Sequence, residues 1–230
     1  SPSDEVITEV AAPGFWAKVC VPSVVARPTP GSAYSSGKLY YGTVYRVIAA
    51  VSDEEGAWWY QLKEGITYSP GPYVPSWAVR RVLPEELAPI SPDCKEKWIE
   101  INIDVQLLTC YEGDRSVFVT RTSTGVASTA TPRGEHTVLL KRGTSRMIGG
   151  SGSDYYDLPG VPFPVYFTWS GVAIHGTYWH NDYGRRHSHG CVNVTSDASQ
   201  WIYRWCEPLT EYHDDWVRPD PGQGLRVVVV

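Results

Sequence analysis

The sequence predicts a mainly β protein with a minor helical part: a small β-barrel followed by a larger β-sandwich that carries one helix. The 230 residues include 10 Trp, 15 Tyr, 18 Pro and 21 Gly. Aromatic residues favour strands, and proline and glycine favour the turns between them. Short β-type segments recur along the chain, whereas one segment has clear helical periodicity. A proline-rich acidic stretch, residues 84–97, separates the two predicted domains.

Composition excludes several classes of protein. The formal net charge of −5 argues against a nucleic-acid partner, because phosphate binding needs a basic surface. The hydrophobic fraction of 42% and charged fraction of 20% are typical of a globular protein that buries a core. No apolar run approaches the length needed to cross a membrane.

The first predicted domain spans residues 15–83. Residues 1–14 before it are polar and acidic, and we interpret them as a leader or the end of a linker. Strands are predicted over 39–51 with a break at Gly42, over the aromatic segment 57–62, and over 73–77 and 79–83. This order resembles a bacterial SH3-like domain. Its aromatic residues are expected in the core, with carbohydrate or peptide binding as the alternative; they are Trp58, Trp59, Tyr60 and Trp77.

The second domain is predicted to span residues 98–230 and to begin with the clearest strand pattern. Residues 98–107 alternate strictly, with Ile99, Ile101, Ile103, Val105 and Leu107 on one face. A turn over 112–115 and a return strand over 117–122 follow, and 138–140 is another strand candidate.

The segment from Arg142 to Pro164 shows little periodicity and is rich in glycine and proline. We predict a long loop there, which is typically functional or disordered in a compact domain. One interpretation is a flap over the functional site, with Met147, Tyr155 and Tyr156 touching substrate. The alternative is a surface excursion without a role.

One helix is predicted near the end of the chain. Thr195 and Ser196 are good N-cap residues, and Pro208 ends the pattern. Apolar residues recur at helical spacing after the cap and define one face, namely Ala198, Trp201, Ile202, Trp205 and Cys206. Residues 225–230 are predicted to form a final buried strand.

The chemistry is predicted to lie between His175 and Val194. This stretch holds four of the six histidines, namely His175, His180, His187 and His189, around one cysteine, Cys191. A thiol needs a base to become a nucleophile at neutral pH, and imidazole commonly supplies it. We expect His175, sixteen residues upstream, to approach Cys191 from a separate strand. A zinc site made by His175, His187, His189 and Cys191 is the rival interpretation, although no C-x-x-C or H-E-x-x-H spacing supports it.

The four other cysteines are Cys20, Cys94, Cys110 and Cys206. Four cysteines allow three pairings, and the sequence does not choose among them. Cys110 and Cys206 lie in patterns typical of buried thiols, whereas a Cys20–Cys94 disulfide would join the first domain to the connector.

These residues carry a family resemblance. His175-Gly176, a gap up to Ser188, and then Ser-His-Gly-Cys-Val-Asn resemble the signature of the L,D-transpeptidase (YkuD-like) family of cell-wall enzymes. Thr131-Pro132-Arg133-Gly134 resembles the family's T-P-x-G element, and residues 98–113 resemble its opening hairpin. The resemblance covers about residues 97–230.

The resemblance implies roles for the residues of the motif. Cys191 is the nucleophile and His175 the base, and Gly176 offers its carbonyl to the imidazole N–H. Ser188 and His189 orient the loop, and the N–H groups of Gly190 and Cys191 stabilise the negative oxygen of the intermediate. Asn193, where family members often have Arg, contacts substrate or braces the turn.

The resemblance also implies a function. We expect an exported enzyme, acting in the cell wall or periplasm, whose signal segment is not in this chain. It would join stem peptides of peptidoglycan through a thioester, without cofactor or metal, and carbapenem-type β-lactams would acylate it. The oligomeric state is not predicted. A cysteine carboxypeptidase or endopeptidase acting on the same stems is one alternative. A non-catalytic wall-binding protein is another.

Overall fold

The structure, a computed structural model, describes residues 5–63 and 71–230. It divides into two compact units. The first comprises residues 1–87 and 144–161, within those described ranges, and the second comprises residues 88–143 and 162–230. The chain therefore leaves the second unit once and returns to it.

Most of the regular structure is strand. The strands are β1 (Phe15–Val19), β2 (Ser23–Ala26), β3 (Gly37–Tyr40), β4 (Val44–Ser52), β5 (Trp58–Leu62), β6 (Tyr73–Pro75), β7 (Val79–Arg81), β8 (Lys97–Asn102), β9 (Leu107–Glu112), β10 (Arg115–Arg121), β11 (Gly134–Thr137), β12 (Leu140–Arg142), β13 (Thr144–Gly149), β14 (Tyr156–Pro162), β15 (Val165–Tyr166), β16 (Ala173–Gly176), β17 (Val192–Val194), β18 (Trp216–Val217) and β19 (Arg226–Val229). The α-helices are α1 (Pro84–Leu87) and α2 (Ser196–Trp205). The predicted mainly β class is confirmed.

The first unit contains an antiparallel sheet in the order β6-β5-β4-β1-β7, a β2–β3 ladder and a β13–β14 ladder. Its core includes Trp16, Tyr45 and Leu62. The predicted strands over 39–51, 57–62 and 73–83 are present, with the break at Gly42 between β3 and β4. The likeness to an SH3 domain stays a prediction.

The β13–β14 ladder corrects the prediction of a long loop over 142–164. Thr144 at the start of β13 donates its hydroxyl hydrogen to the carbonyl of Val44 in β4, 2.6 Å away. Gly160 in β14 has φ of +64°, and a Cβ there would lie 2.4 Å from the ring of Tyr45. Both contacts tie the ladder to the first unit, because its glycine fits against an aromatic side chain that is distant in sequence.

The second unit is built from two five-stranded sheets, β10-β9-β8-β19-β11 and β17-β16-β15-β12-β18. One hydrophobic cluster contains Ile99 and Val227 from the first sheet, Ile174 and Val192 from the second, and Ile202 from α2. A sandwich-like core between two sheets, with one helix after the cysteine, was predicted and is confirmed.

The alternating segment 98–107 is a hairpin rather than one strand. The chain turns between β8 and β9, where the side-chain oxygen of Asn102 accepts the N–H groups of Asp104 and Val105 at 3.1 and 3.2 Å. Gln106 has φ of +55°, and Val105 is 60% exposed instead of joining the predicted face. Asn side chains bond nearby backbone in this way at turns. The predicted strand over 138–140 is likewise displaced, since β11 and β12 flank Val138 and Leu139.

Helix α2 confirms its prediction. The Thr195 side chain accepts the N–H of Ala198 at 3.1 Å, as an N-cap residue does. At the other end, the ammonium groups of Lys97 and Lys141 donate to the carbonyls of Trp205 and Cys206, at 2.9 and 2.5 Å. Cations satisfy the orphan carbonyls that a helix C-terminus leaves. The terminal strand β19 also lies within the predicted range of 225–230.

The boundary between the units falls after Leu87, inside the predicted connector 84–97. Beyond it Ile90 packs against the core of the second unit. All five cysteines are free, so the suggested Cys20–Cys94 disulfide is absent, whereas Cys110 and Cys206 are buried thiols as predicted. Within residues 5–63 and 71–230, no helix is long and apolar enough to span a membrane.

Candidate active site

The candidate site is organised by two neighbouring parallel strands. In the β16–β17 pair, Ile174 lies opposite Val192 and His175 opposite Asn193. Cys191 directly precedes β17 and so lies beside Ala173, two positions before the level of His175. Successive side chains alternate between faces, which puts the thiol and the imidazole on one face. Strand spacing gives a separation of roughly 8 Å between the Cα atoms of Cys191 and His175, which the two side chains can bridge.

His175 lies on β16 and is almost entirely buried, at 2% exposure. Its Nδ1 lies 3.0 Å from the carbonyl of Gly176, the contact that the sequence predicted. A carbonyl only accepts hydrogen bonds, so Nδ1 carries the proton and Nε2 keeps a lone pair. Burial lowers the pKa of His175 to about 4. The hydrogen bond to the Gly176 carbonyl opposes this shift by raising the pKa, and nearby His180 lowers the pKa further. The ring is therefore neutral near pH 7, with a lone pair on Nε2 to accept a proton.

Gly176 is required for packing as well as for its carbonyl. A Cβ at this position would lie 2.7 Å from Pro162 Cγ, 2.7 Å from Ser199 Oγ and 2.9 Å from the Ser196 Cα. The last two atoms belong to the first turn of α2. The absence of a side chain lets the helix start press against the strand that carries His175.

Cys191 is partly exposed, and the packing around its thiol raises the pKa, an effect that the N–H of Ala173 opposes by donating to the sulfur. The sulfur also lies 3.9 Å from the carbonyl of Gly171. Burial disfavours charge on both partners, because it raises the pKa of an acid and lowers that of a base. The resting pair is therefore a neutral thiol beside a neutral imidazole.

Hydrogen bonds from residues 124–131 hold the cysteine motif in place. The Thr131 hydroxyl donates to the carbonyl of Gly190 at 2.7 Å and accepts the N–H of Gly125 at 2.9 Å. The N–H of Ser188 donates to the carbonyl of Thr124 at 3.1 Å, and the carbonyl of Ser188 accepts from Val126 at 3.0 Å. Thr131 thereby connects the T-P-x-G element to the glycine before the nucleophile.

Within the motif, Ser188 braces the turn to Cys191, as predicted. Its hydroxyl donates to the carbonyl of Cys191 and accepts the N–H of Gly190, at 2.5 and 3.1 Å. Gly190 has φ of +124°, a conformation that favours glycine. Because the Gly190 N–H is already donated, it is not free to bind a negative oxygen, contrary to prediction. Among the described residues no acceptor takes the Cys191 N–H, and this donor remains.

Asn193 braces the site from the next strand. Its backbone N–H and carbonyl both bond to Ser123, at 2.9 Å each, and its side-chain amide lies 2.8 Å from Nε2 of His180. Nδ1 of His180 accepts the N–H of Asp182 at 3.2 Å, so Nε2 of the neutral ring carries the proton. The amide atom next to Nε2 is Nδ2, so a proton on Nε2 requires the amide to be turned over, which lets the otherwise unpartnered Oδ1 of Asn193 accept that proton. Contact of Asn193 with substrate stays a prediction.

The remaining histidines separate from the cysteine. His189 is exposed, whereas the rings of His180 and His187 lie 4.1 Å apart with Asp182 beside them. Within the described chain, only His180, Asp182 and His187 bring metal-ligand atoms within 4.8 Å of one another. The four ligands of the rival zinc interpretation are therefore not assembled. Sequence reasoning named His180 and Thr131 but assigned neither a role, although the position of Thr131 in the T-P-x-G element was a usable signal.

Met147, Tyr155 and Tyr156 belong to the first unit, within and beside the β13–β14 ladder. Tyr155 is 59% exposed, and a Cβ at Gly149 would meet the hydroxyl of Tyr156 at 2.4 Å. Their contact with substrate stays a prediction.

Comparison with protein families gives a match over residues 96–229 to the YkuD model, described as the L,D-transpeptidase catalytic domain. The matched segment is more than half of the chain and contains every motif residue described above. The sequence-based resemblance over about 97–230 is confirmed.

The chain is also similar to individual L,D-transpeptidases. The chain is 37% identical over 89 residues to L,D-transpeptidase 1 of Mycobacterium tuberculosis. The aligned segment covers 35% of this chain and 35% of that protein. It thus spans about a third of that relative. An L,D-transpeptidase structure from Mycobacterium smegmatis is 19% identical, covering 98% of this chain and 100% of that one, with a TM-score of 0.49. The Enterococcus faecium catalytic domain acylated by ertapenem is 23% identical, covering 59% and 98%, with a TM-score of 0.45.

Proposed function

The chain belongs to the L,D-transpeptidase catalytic-domain family, and from this membership we propose that it crosslinks stem peptides of bacterial peptidoglycan through an acyl-enzyme on Cys191. The observation that carries the proposal is the pairing of β16 and β17. In support, the pairing has the buried imidazole of His175, with its Nδ1 against the Gly176 carbonyl, on the same face as Cys191.

The first step forms the acyl-enzyme. The donor stem's carbonyl carbon is attacked by the sulfur of Cys191 while Nε2 of His175 takes the thiol proton. A proton transfer concerted with attack suits this pair, because burial opposes a resting thiolate and imidazolium. The C–N bond to the terminal D-residue then breaks, and the His175 imidazolium returns the proton to the departing amine.

The second step transfers the acyl group. An amine on the side chain of another stem's diamino acid attacks the thioester, His175 accepts its proton, and the sulfur leaves with a proton from the imidazolium. Each tetrahedral intermediate carries a negative oxygen, for which the free N–H of Cys191 is a placed donor. The bond from Thr131 to Gly190 fixes the peptide that carries this donor.

Carbapenem-type β-lactams are proposed inhibitors by the same chemistry, since ring opening at their carbonyl leaves an acyl group on the sulfur. The proposed location is outside the cytoplasm, where peptidoglycan lies. The first unit is proposed to have a supporting structural role. Binding of the cell wall by its aromatic residues is the alternative.

Hydrolysis is the competing outcome, because water in place of the amine gives a carboxypeptidase or endopeptidase. Incubation with purified disaccharide-tetrapeptides, followed by mass spectrometry, separates these activities. We expect crosslinked dimers that depend on Cys191. Trimmed monomers alone would assign a hydrolase, and no product together with no carbapenem adduct would leave a non-catalytic wall-binding protein.

A further inference from the structure

Two histidines of the motif region take no part in acyl transfer but converge with a carboxylate. We propose that His180, Asp182 and His187 form a binding site for a divalent transition metal such as zinc. This site is separate from the thiol of Cys191. The sequence analysis expected no metal, and its rival zinc interpretation used Cys191. The proposed site shares only His187 with that ligand set.

The three side chains each offer one ligand atom, and these atoms lie within 4.8 Å of one another. Nδ1 of His187 is 3.6 Å from a carboxylate oxygen of Asp182, and the two imidazole rings are 4.1 Å apart. Zinc bonds of about 2.1 Å place tetrahedral ligands roughly 3.4 Å apart. The partly exposed side chains of Asp182 and His187 need to close by only about an ångström, and their exposure leaves the metal an entry path.

The backbone that carries these ligands is already fixed. The Ser123 hydroxyl donates to the carbonyl of Asp182 at 2.7 Å, and the N–H of His187 donates to the carbonyl of Thr124 at 2.9 Å. Between them, the N–H of Gly184 donates to the carbonyl of Thr122 at 2.9 Å. Residues 122–124 are buried, so both ends of the 182–187 loop are tied to one rigid segment.

His180 also has the outer partner that a metal-bound histidine usually has. A ligating imidazole commonly donates its second N–H to a carboxylate or carbonyl, which fixes the ring. Nδ2 of the buried Asn193 amide lies 2.8 Å from Nε2 of His180, and turning the amide over puts its unpartnered Oδ1 there as such an acceptor. The other nitrogen, Nδ1, holds only the 3.2 Å bond from the Asp182 N–H, which a metal would replace.

The ligand set selects the class of metal. Two imidazole nitrogens with one carboxylate oxygen suit zinc, nickel or copper, whereas magnesium and calcium prefer oxygen ligands throughout. Three protein ligands leave at least one position for water, so the site is open, unlike a structural zinc site closed by four thiolates. The inference is independent of the proposed acyl transfer.

The test is calorimetric titration of zinc chloride into the full chain, with the variants His187→Ala, His180→Ala and Asp182→Asn. We expect one equivalent of zinc, and a dissociation constant raised at least about 10-fold by each substitution, as metal-site changes typically cause. His213→Ala, an exposed histidine elsewhere in the second unit, and Cys191→Ala should leave zinc affinity unchanged.

Two further measurements keep the result interpretable. The metal-free melting temperature of His187→Ala should match that of the parent chain, because His187 is exposed. Cobalt(II) bound in place of zinc should give a spectrum without thiolate charge transfer. The proposal would be overturned if the chain shows no saturable zinc binding, or if binding survives His187→Ala. It would also be overturned if binding is lost with Cys191→Ala, or if the cobalt spectrum shows thiolate charge transfer.

Discussion

The base and the nucleophile of the candidate site are held by different physical means. His175 lies within a strand, buried by the sheet and by the first turn of α2 against Gly176. Cys191 lies at a bend outside the strands and is partly exposed, and the motif before it is fixed by hydrogen bonds from Thr124, Val126 and Thr131. Packing positions one partner, and hydrogen bonds position the other.

The difference has a chemical consequence. Burial keeps the His175 imidazole neutral at pH 7 and also makes it a weaker base, so proton transfer must accompany attack by the thiol. A nucleophile must meet its substrate, so the thiol needs an accessible loop, and the loop needs polar anchors to stay in place. We therefore expect changes at His175 to act through protonation, and changes around Cys191 to act through geometry.

The largest effect is expected at the nucleophile itself. Cys191→Ala should abolish acylation by a carbapenem, because the other four thiols lack the Ser-His-Gly setting. Mass spectrometry of the intact chain and its peptides gives the measurement, and circular dichroism should show an unchanged fold. An adduct mapped to Cys20, Cys94, Cys110 or Cys206 would contradict the assignment.

The next effect tests the base. General-base assistance is typically worth about 10²- to 10⁴-fold, so His175→Ala should lose that much of its acylation rate at pH 7. Part of the rate should return at alkaline pH, where the thiol ionises without help. His189→Ala, on the exposed residue, should show no such recovery. Stopped-flow acylation against pH makes the comparison, and recovery by His189→Ala alone would reverse the two roles.

A smaller effect is expected from the loop anchors. Thr131→Val keeps the shape of a buried side chain but removes both hydrogen bonds of its hydroxyl, to Gly190 and Gly125. The displaced donor at Cys191 should slow acylation about 10-fold, since small misplacements in a site are costly. Thr129→Val is the matched control, because the Thr129 hydroxyl makes only a 3.4 Å contact with the Ser188 carbonyl. Equal acylation rates for the two variants would show that the anchor is unimportant.

The last effect is on stability rather than rate. Burial lowers the pKa of His175 from 6.5 to about 4, so between these values the unfolded chain binds more protons than the folded one. The free energy of unfolding should therefore fall as pH drops through this window, by roughly 3 kcal/mol from this residue. Urea unfolding of the parent chain and His175→Gln at several pH values isolates the contribution. Parallel pH profiles for the two proteins would rule it out.

Local patterns in the sequence predicted local features correctly. The Thr195 cap and the spacing from Ala198 to Cys206 define α2, because capping and an apolar stripe act over a few residues. The Ser-His-Gly-Cys motif and the upstream His175-Gly176 identified the family, and the assignment of His175 and Cys191 as the reactive pair stays a prediction. The tautomer of His175 followed from a neighbour in sequence, Gly176, and the structure contains that contact.

Sequence patterns failed to predict the structure where the deciding contact joins residues far apart in the chain. They also failed where hydrophobic periodicity does not distinguish a strand from a turn. Strict alternation over 98–107 hid the turn made by the Asn102 side chain, because apolar residues keep a period of two through β8, the turn and the first residue of β9. The segment 142–164 lacked periodicity because β14 contains Pro159, Gly160 and Pro162, and Gly160 is fitted to Tyr45. No window of neighbouring residues contains that fit.

The sequence by itself determined the chemistry of this protein: a thiol, an imidazole, and the glycines that let backbone approach them. Only the tertiary structure decided which groups meet and in what state. The parallel register of β16 and β17 put His175 and Cys191 on one face, and burial favours the neutral form of both. Hydrogen bonds to residues 122–124 hold the loop that brings Asp182 and His187 to His180. The reason is physical, since register, desolvation and long-range hydrogen bonds depend on residues far apart in the chain.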